Sequence, residues 1–308
     1  MKNNLPVLNA SSSPIYTHGY DSAMTLKMHT RRTVEVQGRF FLPYLQPGIR
    51  LLDCGCGSGS ITRGLARLVA PGEVVGIDIA ASEIDRACTD TLHEKVVNAR
   101  FEVGNLYELA FPDASFDAIF CHNVLEHLND PGKALSEMRR VLKPEGIIGV
   151  RDADNGGDLL QPEEELLMEW FALLEADWRI VGGNPRIARS LPWVLRQAGF
   201  DSITPSASYD VYSDPEAVQL IAEVAAMRCQ ESDAVQRILD HKLADPVKLR
   251  AMHDAWLAWA DRPDAFFAHA HVEVVGRNAR SANVSSGIRS GEIDTSQQRY
   301  NQGTYWEL

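Results

Sequence analysis

Seven residues, Asp53-Cys54-Gly55-Cys56-Gly57-Ser58-Gly59, constrain this chain more than any other stretch. They follow a short apolar run (Ile49, Leu51, Leu52) and precede a helical pattern (Ile61, Leu65, Leu68). That context predicts strand, glycine-rich turn, helix. Glycines at alternate positions permit positive φ and let a ligand lie against bare main chain. The helix start behind them offers free N–H groups and partial positive charge to a carboxylate or phosphate. The dinucleotide fingerprint G-x-G-x-x-G would need glycine at position 60, where this chain has Ser60.

From Arg50 onward strands and helices alternate. Strands are expected at residues 50–53, 74–79, 100–103, 116–121 and 147–151, with helical patterns from Thr62, Ser82 and Pro131 between them. The helix from Pro131 has the clearest limits. Asp130 can cap it, Pro131 suits its first turn, and Ala134, Leu135, Met138, Val141 and Leu142 form its apolar stripe. Alternation of this kind implies a parallel sheet covered on both faces, with ligands beyond the strand C-terminal ends. After Arg151 the rhythm changes. An acidic helix is expected over 162–177, a further helix over 187–197, helices again over 214–260, and a last strand over 264–277. The tail from Asn278 is rich in Ser, Asn, Gly, Gln and Arg, a composition expected to stay disordered. The expected organisation is an N-terminal arm (1–46), one domain (47–277) with a lid insertion near 155–190, and that tail (278–308).

A chain of 308 residues suits one large domain with additions, or two domains. The net charge of −12 argues against a broad nucleic-acid footprint. No apolar run approaches the roughly 18 residues of a membrane span, and the first residues carry no secretory signal. Five scattered cysteines argue against a disulfide framework and for a reducing cytoplasm. Cys54-x-Cys56 has no second pair at ligand spacing, so no metal is expected there.

Four signals fall at the ends of successive strands: the Asp53 loop, Gly76-Ile77-Asp78-Ile79, Val103-Gly104-Asn105-Leu106, and Phe116 through Leu128 with His122-Asn123 and Glu126-His127. An acid after the second strand can take both hydroxyls of a ribose. With Pro112–Asp117, Arg140–Gly146 and Ala198-Gly199-Phe200, residues 50–151 resemble the class I methyltransferases dependent on S-adenosylmethionine (SAM), of the ubiquinone/menaquinone-biosynthesis type. The resemblance implies a Rossmann-like α/β fold: a seven-stranded, mostly parallel sheet with a penultimate strand after Ala198-Gly199-Phe200 and an antiparallel last strand, helices on both faces, and the arm and helical lid added. It implies that Asp53, Gly55, Gly57 and Gly59 hold the methionine end of SAM, Asp78 and Ile79 the ribose and adenine, Asn105 and Leu106 the adenine amino edge, and His122 the sulfonium side. Asn105 departs from the family, where aspartate is usual.

His127 is the candidate general base, since imidazole titrates near neutrality. Tyr16, His18 and Tyr20 could fold over the cofactor, and Tyr20 is taken as a cofactor contact. Asp152-Ala153-Asp154-Asn155 resembles the metal ligands of catechol methyltransferases but lacks their acid after the fourth strand, so no metal is expected. The aromatic stripe Trp170, Phe171 and Trp178 is expected to pack within the lid, with Trp170 and Phe171 facing a small-molecule acceptor. The alternatives are a SAM-binding fold that no longer methylates and a nicotinamide oxidoreductase, the latter disfavoured by Ser60.

Overall fold

The computed structural model describes residues 31–230 and 232–279. Tyr16, His18, Tyr20 and the tail from Arg280 lie outside the described residues. Leu51–Cys54 (β1) and Val74–Asp78 (β2) are buried at every position, as central parallel strands covered on both faces must be. Ala99–Val103 (β3) pairs with β2, and Phe116–His122 (β4) with the other edge of β1. Leu142–Ala153 (β5) pairs with β4, all in parallel. The last strand, Phe266–Asn278 (β8), runs antiparallel along β5 through Arg277 to His271. Its first residues continue past the end of β5 and pair with Leu159–Gln161 (β6), while Phe200–Tyr212 (β7) covers its other edge. The sheet therefore has the expected seven strands and an antiparallel β8, with the short β6 as an eighth.

Period-2 alternation sorts the side chains onto two faces. Leu52, Val75, Ile119, Cys121 and Ile148 pack under Pro131–Val141 and Leu191–Gln197. Leu51, Val74, Ala118 and Phe120 face Ser60–Val69 together with Val34 and Phe41. Asp130 caps its helix as expected, accepting from Lys133 N–H at 2.9 Å, with Pro131 in the first turn.

A third core lies outside the sheet. Glu165–Ile180 (α1) joins Pro215–Arg228 (α2), Asp233–Asp240 (α3) and Pro246–Ala260 (α4) around Trp170, Trp256, Trp259 and Met252. The cap is thus built from two separate chain segments, not from residues 155–190 alone. Trp170 is 1% exposed in this core, and Phe171 packs against Trp256 and Phe267. Neither ring reaches the cavity described below, which corrects their expected place beside the acceptor. β7 takes the place of the penultimate strand implied after Ala198-Gly199-Phe200, whose limits were not foreseen. It is an edge strand, mostly exposed and interrupted by Pro205, so it lacks the apolar alternation that marks buried strands.

Candidate active site

One cavity, of about 230 Å³, opens over the C-terminal ends of β1, β2 and β4 and runs beneath the cap. At its floor Gly55 and Cys56 donate their N–H groups to the Ile77 carbonyl at 2.8 and 2.9 Å, pinning the glycine turn to the end of β2. Gly55, Gly57 and Gly59 all have positive φ. A Cβ on Gly55 would lie 2.3 Å from Val124. One on Gly57 would meet only a Glu83 oxygen at 4.0 Å, so a side chain there would take space from the cavity. Gly59 does not line the cavity. Its Cβ would strike Phe101 at 2.6 Å, so packing against Phe101 and the positive φ of the turn into the helix require glycine there.

Two carboxylates flank this turn. Asp53 is buried and accepts from Thr62 Oγ1 at 2.6 Å. Burial pushes its carboxyl up to about 7, the Thr62 hydrogen bond opposes, and the field of Asp78 adds to the rise. Asp78 accepts from Gly57 N–H and Ala80 N–H, both at 2.9 Å, one on each oxygen. A carboxylate oxygen can accept two hydrogen bonds, the capacity that pairing with a ribose diol requires. Ile79, Asn105 and Leu106 line the adjoining wall. Asn105 Oδ1 already accepts from Tyr107 N–H at 2.9 Å, leaving one lone pair for a ligand amino group.

The far end of the cavity is made differently. His122, at the tip of β4, is buried with Nδ1 3.2 Å from the Arg151 carbonyl. Behind it Val124 N–H donates to Asp152 at 2.8 Å. Burial and then the field of Glu126 drive the Asp152 carboxyl well above the usual range. Glu126 is itself buried and sits 3.3 Å from His127 Nε2, and the His127 ring meets Trp178 edge-on at 5.1 Å. Trp178 on α1, Val224 and Arg228 on α2, and His269 on β8 complete this end.

The geometry matches a known group of enzymes. An uncharacterized methyltransferase of Schizosaccharomyces pombe is 34% identical over 256 residues, spanning 80% of this chain and 90% of its own. The chain belongs to the class I SAM-dependent methyltransferases. The probable methyltransferase ltbC of Aspergillus luteorubrus is 32% identical over 284 residues, spanning 84% of this chain and 96% of its own. The family model described as a methyltransferase domain matches residues 52–150. Among solved structures, YcgJ of Bacillus subtilis superposes with a TM-score of 0.54 at 17% identity, over 79% of this chain and 98% of that one, a likeness of fold.

The residues present fit the cofactor of this methyltransferase. Bare main chain at Gly57, the Asp78 carboxylate and the buried Asp53 carboxyl fall in one cavity. Of the residues expected to hold it, Asp53, Gly55, Gly57, Asp78, Ile79, Asn105, Leu106 and His122 are brought together, as is His127. Trp178 belongs to the aromatic stripe expected on the lid and Glu126 to the motif after β4, whereas Val224, Arg228 and His269 were not singled out. For His269 a signal existed: Ala268-His269-Ala270-His271 on a strand puts both imidazoles on one face at i, i+2. Val224 and Arg228 are cap residues with no local pattern.

Proposed function

We propose that this methyltransferase, whose acceptor is a small molecule, methylates a hydroxyl of a partly apolar acceptor seated beneath the helical cap. The supporting observation is one cavity that joins the glycine turn and Asp78 to a second end lined by Trp178, Val224, Leu128, His127 and His269. SAM, when bound, supplies a methyl group on a positively charged sulfur. Asp53 and the turn from Gly55 to Gly57 hold its methionine end, Asp78 and Ile79 its ribose and adenine, Asn105 and Leu106 the amino edge, and His122 borders the sulfonium. Leu128, Val224 and Trp178 exclude water and orient the acceptor for in-line attack. An imidazole at that end takes the hydroxyl proton, because a neutral hydroxyl is a weak nucleophile.

We assign residues 47–277 to one catalytic unit. All five cysteines are free thiols, which supports a reducing cytoplasm. Among the described residues no helix is long and apolar enough to cross a membrane. The test is incubation with methyl-labelled SAM and a cell extract, followed by mass identification of the labelled product. A methyl ether on a small molecule is the expected product. Tight SAM binding without any labelled product would favour a fold that binds SAM and no longer transfers it.

A further inference from the structure

β8 carries two histidines that no part of the cofactor site uses. His269 Nδ1 lies 2.9 and 3.1 Å from the two oxygens of Asp158, whose Oδ1 also accepts from Ala270 N–H at 2.8 Å. The fold is arranged around this contact. After β5 the chain turns through Asn155–Gly157, where Asp154 N–H donates to the Ala270 carbonyl at 2.9 Å. A Cβ on Gly157 would come within 2.9 Å of the Ala270 Cβ, so the turn lies directly against β8 there. β6 then pairs Leu159 with Ala268. Asp158, between the turn and β6, is thereby held beside the imidazole.

With Nδ1 taken, Nε2 has no hydrogen bond among the described residues, and His269 lines the cavity. The ring also lies on the reacting side. His122 and His271 are 5.9 Å apart between centroids, and His271 and His269 are 4.8 Å apart, so the three rings form a row from the tip of β4 to the cap. His127 is placed differently, since Glu126 faces its Nε2 and Trp178 its ring.

We propose that His269, oriented by Asp158, is the general base that takes the proton of the acceptor hydroxyl. This rests on the hydroxyl-acceptor reading above. As the hydroxyl oxygen bonds to the methyl carbon, the carbon–sulfur bond breaks and its electron pair stays on sulfur as a neutral thioether. The hydroxyl proton passes to His269 Nε2, and the imidazolium formed is held by the Asp158 carboxylate. A carboxylate on Nδ1 fixes the tautomer with the lone pair on Nε2 and strengthens it as a base. Burial works against a charged His269, but the Asp158 hydrogen bond and field, with Glu126 and Asp210 behind them, raise it above the ordinary imidazole value. The other groups nearby are Arg151, His122 and His271, with Arg228 on the same cavity. Burial, then His269, Arg151 and His122, keep His271 neutral.

The test has two arms. In the first, nitrogen-15 NMR of the histidines follows the full-length protein without cofactor. His269 is expected to be protonated on Nδ1 when neutral and to titrate above 6.5, and Asp158→Asn should lower that midpoint by about one unit. A neutral Nε2–H form, or a midpoint unmoved by Asp158→Asn, overturns the dyad without any activity measurement. In the second arm, methyl-labelled SAM is offered with phenol, catechol, hydroquinone, cyclohexanol, aniline and thiophenol. Transfer to oxygen should fall about 100-fold or more in His269→Gln, about 10-fold in Asp158→Asn and less in His127→Gln, with SAM affinity within about twofold of wild type. The rise of rate with pH should move to lower pH in Asp158→Asn. Methyl ethers formed at wild-type rate by a folded His269→Gln overturn the base and leave the hydroxyl reading standing. Label on aniline or thiophenol alone, or on no compound while SAM binds, overturns the hydroxyl reading and the base with it.

Discussion

The two ends of the cavity are built by different means. The cofactor end is made of consecutive short segments at the tips of adjacent strands, and its contacts are largely main chain or one side chain per tip. The acceptor end takes residues from the turn after β4, from α1 and α2, and from β8, which together span more than a hundred residues of the chain. A main-chain site needs glycines and acids at fixed spacing, so it leaves a pattern that can be read. A site assembled from single side chains on distant elements leaves none.

The largest expected effect tests whether the cap is a separate core. Trp170→Ala removes a ring that is 1% exposed among Trp256, Trp259 and Met252, and should cost about 3–5 kcal/mol of stability. Thermal melting would register this, while SAM affinity of the folded fraction stays near wild type. A well-folded variant that loses methyl transfer alone would return the ring to the acceptor site and blur the division drawn here.

The cofactor end should answer to pH instead. Asp53 has its folded value raised to about 7 from 3.8, so the folded state holds a proton that the unfolded state has lost between those values. Stability from this group is therefore full below about pH 4 and declines as pH rises toward 7, by a few kcal/mol at most. Asp53→Asn should flatten that slope in melting curves taken across the range. SAM carries an ammonium at its methionine end, so binding below pH 7 should release a proton from Asp53. Calorimetry in buffers of different ionisation enthalpy would detect it, and no buffer dependence would argue that Asp53 does not face the methionine end.

Asp78→Ala should weaken SAM by about 1–3 kcal/mol, the scale for losing hydrogen bonds to a charged group. It also releases the Gly57 N–H that Asp78 accepts, so the turn loosens along with the contact. Calorimetric titration measures the sum. Unchanged affinity would place the ribose elsewhere.

The same contrast governs what could be read in advance. β1, β2 and β4 are buried apolar runs and β3 a half-exposed one, punctuated by glycine and proline, so β1 to β5 were legible to within a few residues, though β5 starts earlier, at Leu142, through a register shift opposite Phe116 and Ala118. The limits of β7 had no local mark because an edge strand carries Asp201 and Pro205 at exposed positions. The cap helices were legible as helices, since Asp214-Pro215 and Asp245-Pro246 repeat the start seen at Asp130-Pro131. Their common core was not, because packing between α1 and α2 to α4 is a long-range fact with no local signature. Asp158 lay for the same reason in an unmarked stretch between β5 and β6, although the imidazole it orients sits on a strand that was foreseen.

The smallest effect concerns Asn105, a position where aspartate was the expected residue. Asn105 Oδ1 accepts from Tyr107 N–H within a turn closed by the Glu108 N–H to Asn105 carbonyl bond at 3.1 Å. A carboxylate would keep that acceptance and add a second oxygen for an adenine amino group. It would also bring a further negative charge to a cavity that already holds Asp53, Asp78 and Glu126. The gain of a charged acceptor and the added repulsion nearly offset at a partly exposed site, where charges are well screened. Asn105→Asp should therefore change SAM affinity by less than about 1 kcal/mol in either direction, with melting temperature unchanged. A loss above about tenfold would mean that the Asn105 NH₂ group, rather than its oxygen, contacts the bound cofactor.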